Sequence, residues 1–131
     1  WWGPGAEPFH IDFSRSRVAA IVRRANRIVP DIVQETCGAA GLDLADIGTF
    51  ITNQPNRIFL RNWREAIQVS EDRHVDTFEE HGNLFGAAIP VCLERAEREG
   101  KIADDSAVVL GGFSHAGDYA AAAVVRWGAV A

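Results

Sequence analysis

The 131-residue chain has no methionine, a single tyrosine, two cysteines and a single lysine, Lys101. With no methionine it carries no start residue, and it opens on Trp1-Trp2-Gly3-Pro4-Gly5, which reads as loop from the middle of a protein. The expectation is a fragment, a processed product or a trimmed chain. Cys37 and Cys92 are too few for a disulfide framework, and they form no CxxC pair. A cytoplasmic, reducing compartment is the expectation that follows. Arginine in place of lysine, with abundant alanine and glycine, is a mark of a GC-rich genome and carries no chemistry. No apolar run approaches the ~18 residues of a membrane span, and no basic-then-apolar segment opens the chain. Basic residues number 13 against 18 acidic ones, a net charge of −5, which argues against nonspecific nucleic-acid binding.

Hydrophobic residues make up 47% of the chain and charged residues 24%, an ordinary globular composition that excludes disorder and low-complexity fibres. The length suits a single domain over residues 1–131, burying roughly two thirds of its unfolded surface. Residues 1–13 show no helical period, with a short strand or loop at Phe9–Phe13. From Ser14, the residues Val18, Ile21, Val22, Ala25, Ile28 and Val29 recur at spacings of three and four, which predicts one helical face. Pro30 either kinks that helix or opens a second one, and Gly38 and Gly41 supply stop signals. A turn or short helical connector over Leu42–Ile47 leads to a buried strand at Thr49–Thr52.

The polar loop Asn53-Gln54-Pro55-Asn56 precedes a helix with an apolar face of Ile58, Phe59, Trp63, Ala66 and Ile67. Ser70–Thr77 has short β character, and Glu79–Asn83 reads as a second polar loop. Phe85, Ala88, Ile89, Cys92, Leu93 and Ala96 then mark a further helix, ended by Gly100. Ala107–Leu110 reads as a strand closed by Gly111-Gly112, and Tyr119–Trp127 as a final buried strand. The whole is a mixed α/β layout of sheet and helix layers. Asn53 and Asn83 both lie just ahead of helices, where free N–H groups and the helix dipole suit anions or carbonyl oxygens.

Several segments together resemble one family. Thr49-Phe50-Ile51-Thr52-Asn53-Gln54-Pro55-Asn56 is similar to a segment ending H-Q-x-N. Glu80-His81-Gly82-Asn83 with Ala87-Ala88-Ile89-Pro90 is similar to G-N-T-x-x-A-S-[IV]-P. Gly100-Lys101-Ile102-Ala103-Asp104-Asp105 resembles the turn G-[KR]-[IL]-x-x-G-[DQ]. Val108–Phe113 and Val124–Trp127 resemble that family's last two strands. The family is the 3-oxoacyl-acyl-carrier-protein synthase III (beta-ketoacyl synthase III) group of the thiolase-like superfamily. The resemblance runs from about Phe9 to Trp127 and covers only the C-terminal half of such an enzyme.

The resemblance implies the C-terminal half of a five-layer sandwich, in which the N-terminal half carries the nucleophilic cysteine. Nothing in this chain resembles that cysteine's segment. Cys37, late in a helix, and Cys92, at an apolar mid-helix position, read as packed thiols. The resemblance also implies a homo- or heterodimer and, as partners, a nucleophile-bearing chain or N-terminal half and acyl carrier protein or CoA thioesters. It implies no bound cofactor, with acyl-CoA or acyl-phosphopantetheine as substrate. Asn83 matches the asparagine that, with a histidine, holds the enolate oxygen formed on decarboxylation. Asn53 stands where the family has that histidine. Its amide still donates a hydrogen bond but carries no proton on and off near neutral pH, which puts decarboxylative condensation in doubt.

Phe85 replaces a small polar residue after G-N and is expected to reshape the substrate pocket. Arg57 is a candidate substrate or carrier-protein contact, one residue earlier than the family arginine, and Arg61 and Arg64 continue its basic stretch. His115, in a glycine-rich turn, is a candidate substrate contact or relocated base. Ser114, His115 and Asp118 lie too close in sequence to converge as a triad. His10 and His74 are expected to be exposed, and the four histidines show no zinc-type spacing. Each site residue also has a plainer reading: Asn53 and Asn83 as helix caps, Gln54 and Asn56 as loop stabilisers, His81 and the Arg and Glu runs as solvated surface. The functional expectation is acyl-thioester transfer or condensation in fatty-acid or polyketide-type biosynthesis. The alternative is a noncatalytic subunit of a heteromeric synthase that shapes its pocket or dimer.

Overall fold

A computed structural model describes residues 14–114 and 117–128. The readings at Phe9–Phe13, His10 and His115 lie outside the described residues. Ser14 caps helix α1 (Arg15–Ala39), its hydroxyl accepting from the Arg17 amide. A 3₁₀ turn at Leu44–Asp46 leads into strand β1 (Ile47–Thr52). Helix α2 (Arg57–Ala66), strand β2 (His74–Val75) and the one-turn helix α3 (Phe78–His81) follow. Then come a 3₁₀ turn at Phe85–Ala87, helix α4 (Ala88–Arg98), strand β3 (Ser106–Ser114) and strand β4 (Tyr119–Trp127).

The strands form one sheet in the order β2-β1-β3-β4. The first three are parallel, and β4 runs antiparallel to β3. Side chains alternate along each strand. Phe50 and Val109 face a cluster with Ala25, Val29, Val33, Phe59 and Trp63 from α1 and α2. Ile51 and Val108 face the opposite way, onto Cys92 and Ala96 of α4. The connections after β1 and β2 therefore leave towards opposite faces of the sheet. In parallel α/β sheets such a divergence opens a crevice beyond the carboxyl ends of the strands.

The structure corrects several sequence readings. Pro30 does not start a new helix; it is buried inside 25 continuous helical residues. Val18 and Val22 of the expected apolar face are exposed. On α2 the buried face is Phe59, Leu60 and Trp63, continued by Ile67, while Ile58 is exposed. Glu79–His81 belong to α3 rather than to a loop. Strand β3 runs through Gly111-Gly112 instead of ending there. Strand β4 lies at the sheet edge with alternate residues exposed, not buried.

His74 is also a correction: it is buried, not exposed. Its ring packs on Phe50 with centroids 4.8 Å apart, Nε2 pairs with Thr52 Oγ1 at 3.1 Å, and Nδ1 has no partner among the described residues. Burial pushes its pKa down to about 4; the nearby Asp76 opposes that shift and Arg64 reinforces it. The unfolded chain binds this proton near pH 6.5 and the folded chain only near 4. Stability is therefore complete above pH 6.5 and falls as the pH drops towards 4, by about 3 kcal/mol. Urea denaturation at pH 7.5 and 4.5 should show that loss. In His74→Leu the pH-dependent part should shrink by the same amount, whatever the variant costs at pH 7.5.

Candidate functional site

The crevice at the carboxyl end of the sheet is a cavity of about 540 Å³. Asn53 from the end of β1, Asn83 from the loop after α3, and Phe113 and Ser114 from the end of β3 line it. Pro55, Phe85, Ile89 and the alanines that open β4 complete a mainly apolar wall. Two of the residues the sequence singles out, Asn53 and Asn83, thus meet in one cavity although thirty positions separate them.

Neither asparagine caps a helix. The cap of α2 is Asn56, whose Oδ1 accepts from the Phe59 amide at 3.0 Å. Asn53 instead docks its side-chain amide against the backbone of β3. Its Oδ1 accepts from the Phe113 N–H at 3.2 Å, and its Nδ2 donates to the Phe113 carbonyl at 3.2 Å. Its own backbone N–H donates to the Gly111 carbonyl at 3.2 Å, so Asn53 prolongs the β1–β3 ladder with main chain and side chain together. Asn83 makes an Asx turn, its Oδ1 accepting from the Phe85 N–H at 2.9 Å.

In both residues the side-chain oxygen is held by a backbone N–H, which fixes the orientation of the amide. Among the described residues one Nδ2 hydrogen of Asn53 and both of Asn83 have no partner. The site therefore offers hydrogen-bond donors from two neutral groups. An electron-rich oxygen, such as a thioester carbonyl or the oxyanion derived from it, is the natural counterpart.

Glycines in β3 make this arrangement possible. A Cβ on Gly112 would stand 2.9 Å from Asn53 Oδ1, and one on Gly111 would stand 3.0 Å from Val33 on the other face. A side chain at 112 displaces the Asn53 amide, and one at 111 crowds the Val33 side chain of α1. By sequence the pair reads as the end of a strand, whereas β3 runs through it. Glycine inside a strand pattern is the signal that would have pointed to close approach.

The other expected site residues fall as follows. Phe85 lines the cavity, is exposed and has φ +52°, so it belongs to the site wall and not to the apolar face of α4. Its left-handed backbone is stabilised by the Asn83 bond to its N–H. Arg57 does not line the cavity: its guanidinium pairs with Glu79 and lies 6.0 Å from the Phe78 ring centre. Arg61 and Arg64 pair with Glu65 and Glu71. Asp118 faces Arg24 at 2.7 Å. His81 is exposed, 3.9 Å from Glu80.

Cys37 and Cys92 are buried free thiols, and burial pushes both pKa values up. A protonated, enclosed thiol is a poor nucleophile, which agrees with reading them as packing residues. Among the described residues no group of three metal-ligating side chains converges. No described helix is long and apolar enough to cross a membrane.

The architecture is that of an α/β protein with a mixed sheet between helices and a site beyond the strand ends, and its similarity to solved synthase III structures makes the fold thiolase-like. Comparison with known proteins agrees. The family described as 3-oxoacyl-[acyl-carrier-protein] synthase III, C terminal, matches residues 37–127, and the chain belongs to that family. Beta-ketoacyl-[acyl-carrier-protein] synthase III of Oceanobacillus iheyensis is 33% identical over 108 residues, which are 82% of this chain and 34% of the relative. The synthase III of Synechococcus elongatus is 32% identical over 110 residues, covering 84% of this chain and 32% of the relative. The crystal structure of synthase III from Thermus thermophilus superposes with a TM-score of 0.79 at 31% identity, covering 84% of this chain and 34% of that one. The chain thus spans about a third of the length of the relatives it matches.

Proposed function

We propose that this chain supplies the carbonyl-holding part of an enzyme that moves acyl groups between thioesters. The donor is an acyl-CoA or an acyl carrier protein, in fatty-acid or polyketide-type biosynthesis. The nucleophilic cysteine comes from an N-terminal half or another chain, and residues 1–131 form the single C-terminal domain. The observation that carries this reading is the pair of asparagine amides with anchored oxygens and N–H groups to spare, set in an apolar cavity.

In the proposed reaction the cysteine thiolate attacks the thioester carbonyl, and the amide donors hold the oxygen as it becomes negative. Collapse expels the CoA or carrier thiolate and leaves the acyl group on the cysteine. The apolar wall, with Phe85 at its edge, holds the acyl chain or pantetheine arm and excludes water. In decarboxylative condensation the same donors would hold an enolate oxygen as CO₂ leaves a malonyl thioester. Asn53 meets the donor requirement but supplies no titrating ring, which favours acyl transfer over condensation.

The test is denaturing intact-mass spectrometry of the assembled protein before and after incubation with mixed acyl-CoAs. The expected result is a nucleophile-bearing polypeptide that gains an acyl mass removable by hydroxylamine. Asn53→His should then raise decarboxylative condensation by about 10²-fold or more. No adduct from any donor would instead support the noncatalytic reading, in which Asn53 marks a lost activity.

A further inference from the structure

Asn53 and Asn83 sit on separate loops, and one buried side chain joins them. Gln54 follows Asn53 in sequence and has no solvent-exposed surface. Its Oε1 accepts from the Thr77 N–H at 3.0 Å and from the Cys92 thiol at 3.5 Å. Its Nε2 donates to Thr77 Oγ1 at 3.0 Å and to the Gly82 carbonyl at 2.7 Å. Both N–H groups and the carbonyl of the amide are thus used. Gly82 is the residue before Asn83, and its φ of 64° with ψ of −146° is a backbone region open essentially to glycine alone. That conformation presents the Gly82 carbonyl to Gln54.

We infer that Gln54 is a positioning residue that sets the spacing of the Asn53 and Asn83 donors by tying the Asn83 loop, through the Gly82 carbonyl, to the end of β1. The inference rests on the proposed function only for its kinetic consequence. Gln54 touches neither the cavity nor any reacting group. It acts because a donor displaced by about 1 Å at a site of this kind costs on the order of 10²-fold in rate.

Gln54→Glu separates this role from simple packing. The two side chains have the same shape. While protonated, the introduced carboxyl accepts from the Thr77 N–H and donates its O–H to the Gly82 carbonyl, so the tie is complete. Once ionised it has only acceptors, and the bond to Gly82 is lost. The experiment is NMR of the full-length protein with ¹⁵N in its asparagine and glutamine side chains and backbone, followed across the titration of that carboxyl.

At low pH the Asn83 side-chain N–H signals should match those of the parent protein. Above the titration they should shift and broaden together with the amides of residues 82–86, while Ile51 and Val109 in the sheet stay unchanged. In parallel, kcat for acyl transfer in the variant should fall about 10²-fold across the same titration with KM unchanged. Asn83 signals that hold their parent positions throughout would overturn the inference.

If the variant does not fold, exchange with deuterium in the parent protein decides. Strongly protected Gln54 side-chain N–H groups are expected, and exchange at the rate of a free amide would overturn the tie. Absence of acyl transfer in the parent assembly would count against the proposed function alone, since the NMR result stands without it.

Discussion

Replacing Asn83 with aspartate should lower the acyl-transfer turnover of the assembled enzyme about 10²–10³-fold, the loss typical of one oxyanion donor. The substitution is chosen for what it keeps. Aspartate retains the oxygen that accepts from the Phe85 N–H, so the Asx turn and the left-handed Phe85 backbone survive. It replaces the Nδ2 donor with a carboxylate oxygen, so a donor is lost and a negative charge is set against the developing oxyanion, and the loss of one donor is the least that is expected. Asn83→Ala would remove the turn as well and blur the result. The loss should appear in kcat and kcat/KM together, because the donor matters most when the carbonyl oxygen is charged. Unchanged denaturation midpoints with that kinetic loss would place the effect in the site. An Asn83→Asp enzyme with full turnover would show that the amide does not meet the reacting oxygen.

Trp63→Ala is the change expected to cost most in stability, about 3–5 kcal/mol. Trp63 is fully buried, stacks on Phe59 at 5.5 Å and meets Phe113 edge-on at 5.6 Å. Its Nε1–H donates to the Ala25 carbonyl at 2.9 Å, so truncation leaves a cavity and also removes a buried hydrogen bond to α1. Against a typical total stability of about 5–15 kcal/mol this is a large fraction. Trp63→Phe keeps most of the ring and loses the hydrogen bond, and should cost about 1–2 kcal/mol. Urea denaturation of both variants checks the order. Phe113 connects this core to the site, since its backbone holds the Asn53 amide. Trp63→Ala should therefore also disturb the Asn53 side-chain signals, whereas an equally destabilising change at Ala96, on the other face of the sheet, should not.

Strand β1 and helix α4 were legible because their patterns are local. Ile47–Thr52 is a β-branched and aromatic run, and Ala88, Cys92 and Ala96 repeat every four residues. Burial that depends on partners was less legible. His74 looks polar, but β2 places it against Phe50 and Thr52, where its neutral ring is tolerated. Val18 and Val22 carry the right helical spacing for burial, yet spacing alone does not say what stands opposite them. The Ala-Val run of β4 reads as core by hydropathy, but its place at the sheet edge is set by pairing order, a long-range property. Pro30 predicts a kink or a new helix start because proline costs an intrahelical bond; the packed face of α1, with Val29 and Val33 on either side of it, carries one helix through.

The candidate site divides along the same line. The motif resemblance identifies Asn53 and Asn83 as site residues; the plainer reading of Asn53 as the cap of the following helix fails, because Asn56 caps α2. The partners that orient them, Phe113, Gly112 and the Phe85 N–H, lie across the sheet or within a strained turn. Gln54 was seen as a loop stabiliser, which it is, but its second anchor at Gly82 is 28 residues away and has no sequence signature. Arg57, singled out by its position near a motif, lies outside the cavity and pairs with Glu79 at the surface.

The most direct test of the account is a crystal structure of the assembled enzyme with a non-hydrolysable acyl-thioester analogue. The account predicts the analogue's carbonyl oxygen in the cavity between β1 and β3, about 2.7–3.2 Å from Nδ2 of both Asn53 and Asn83. A carbonyl bound elsewhere, with both amides facing solvent or protein alone, would contradict it.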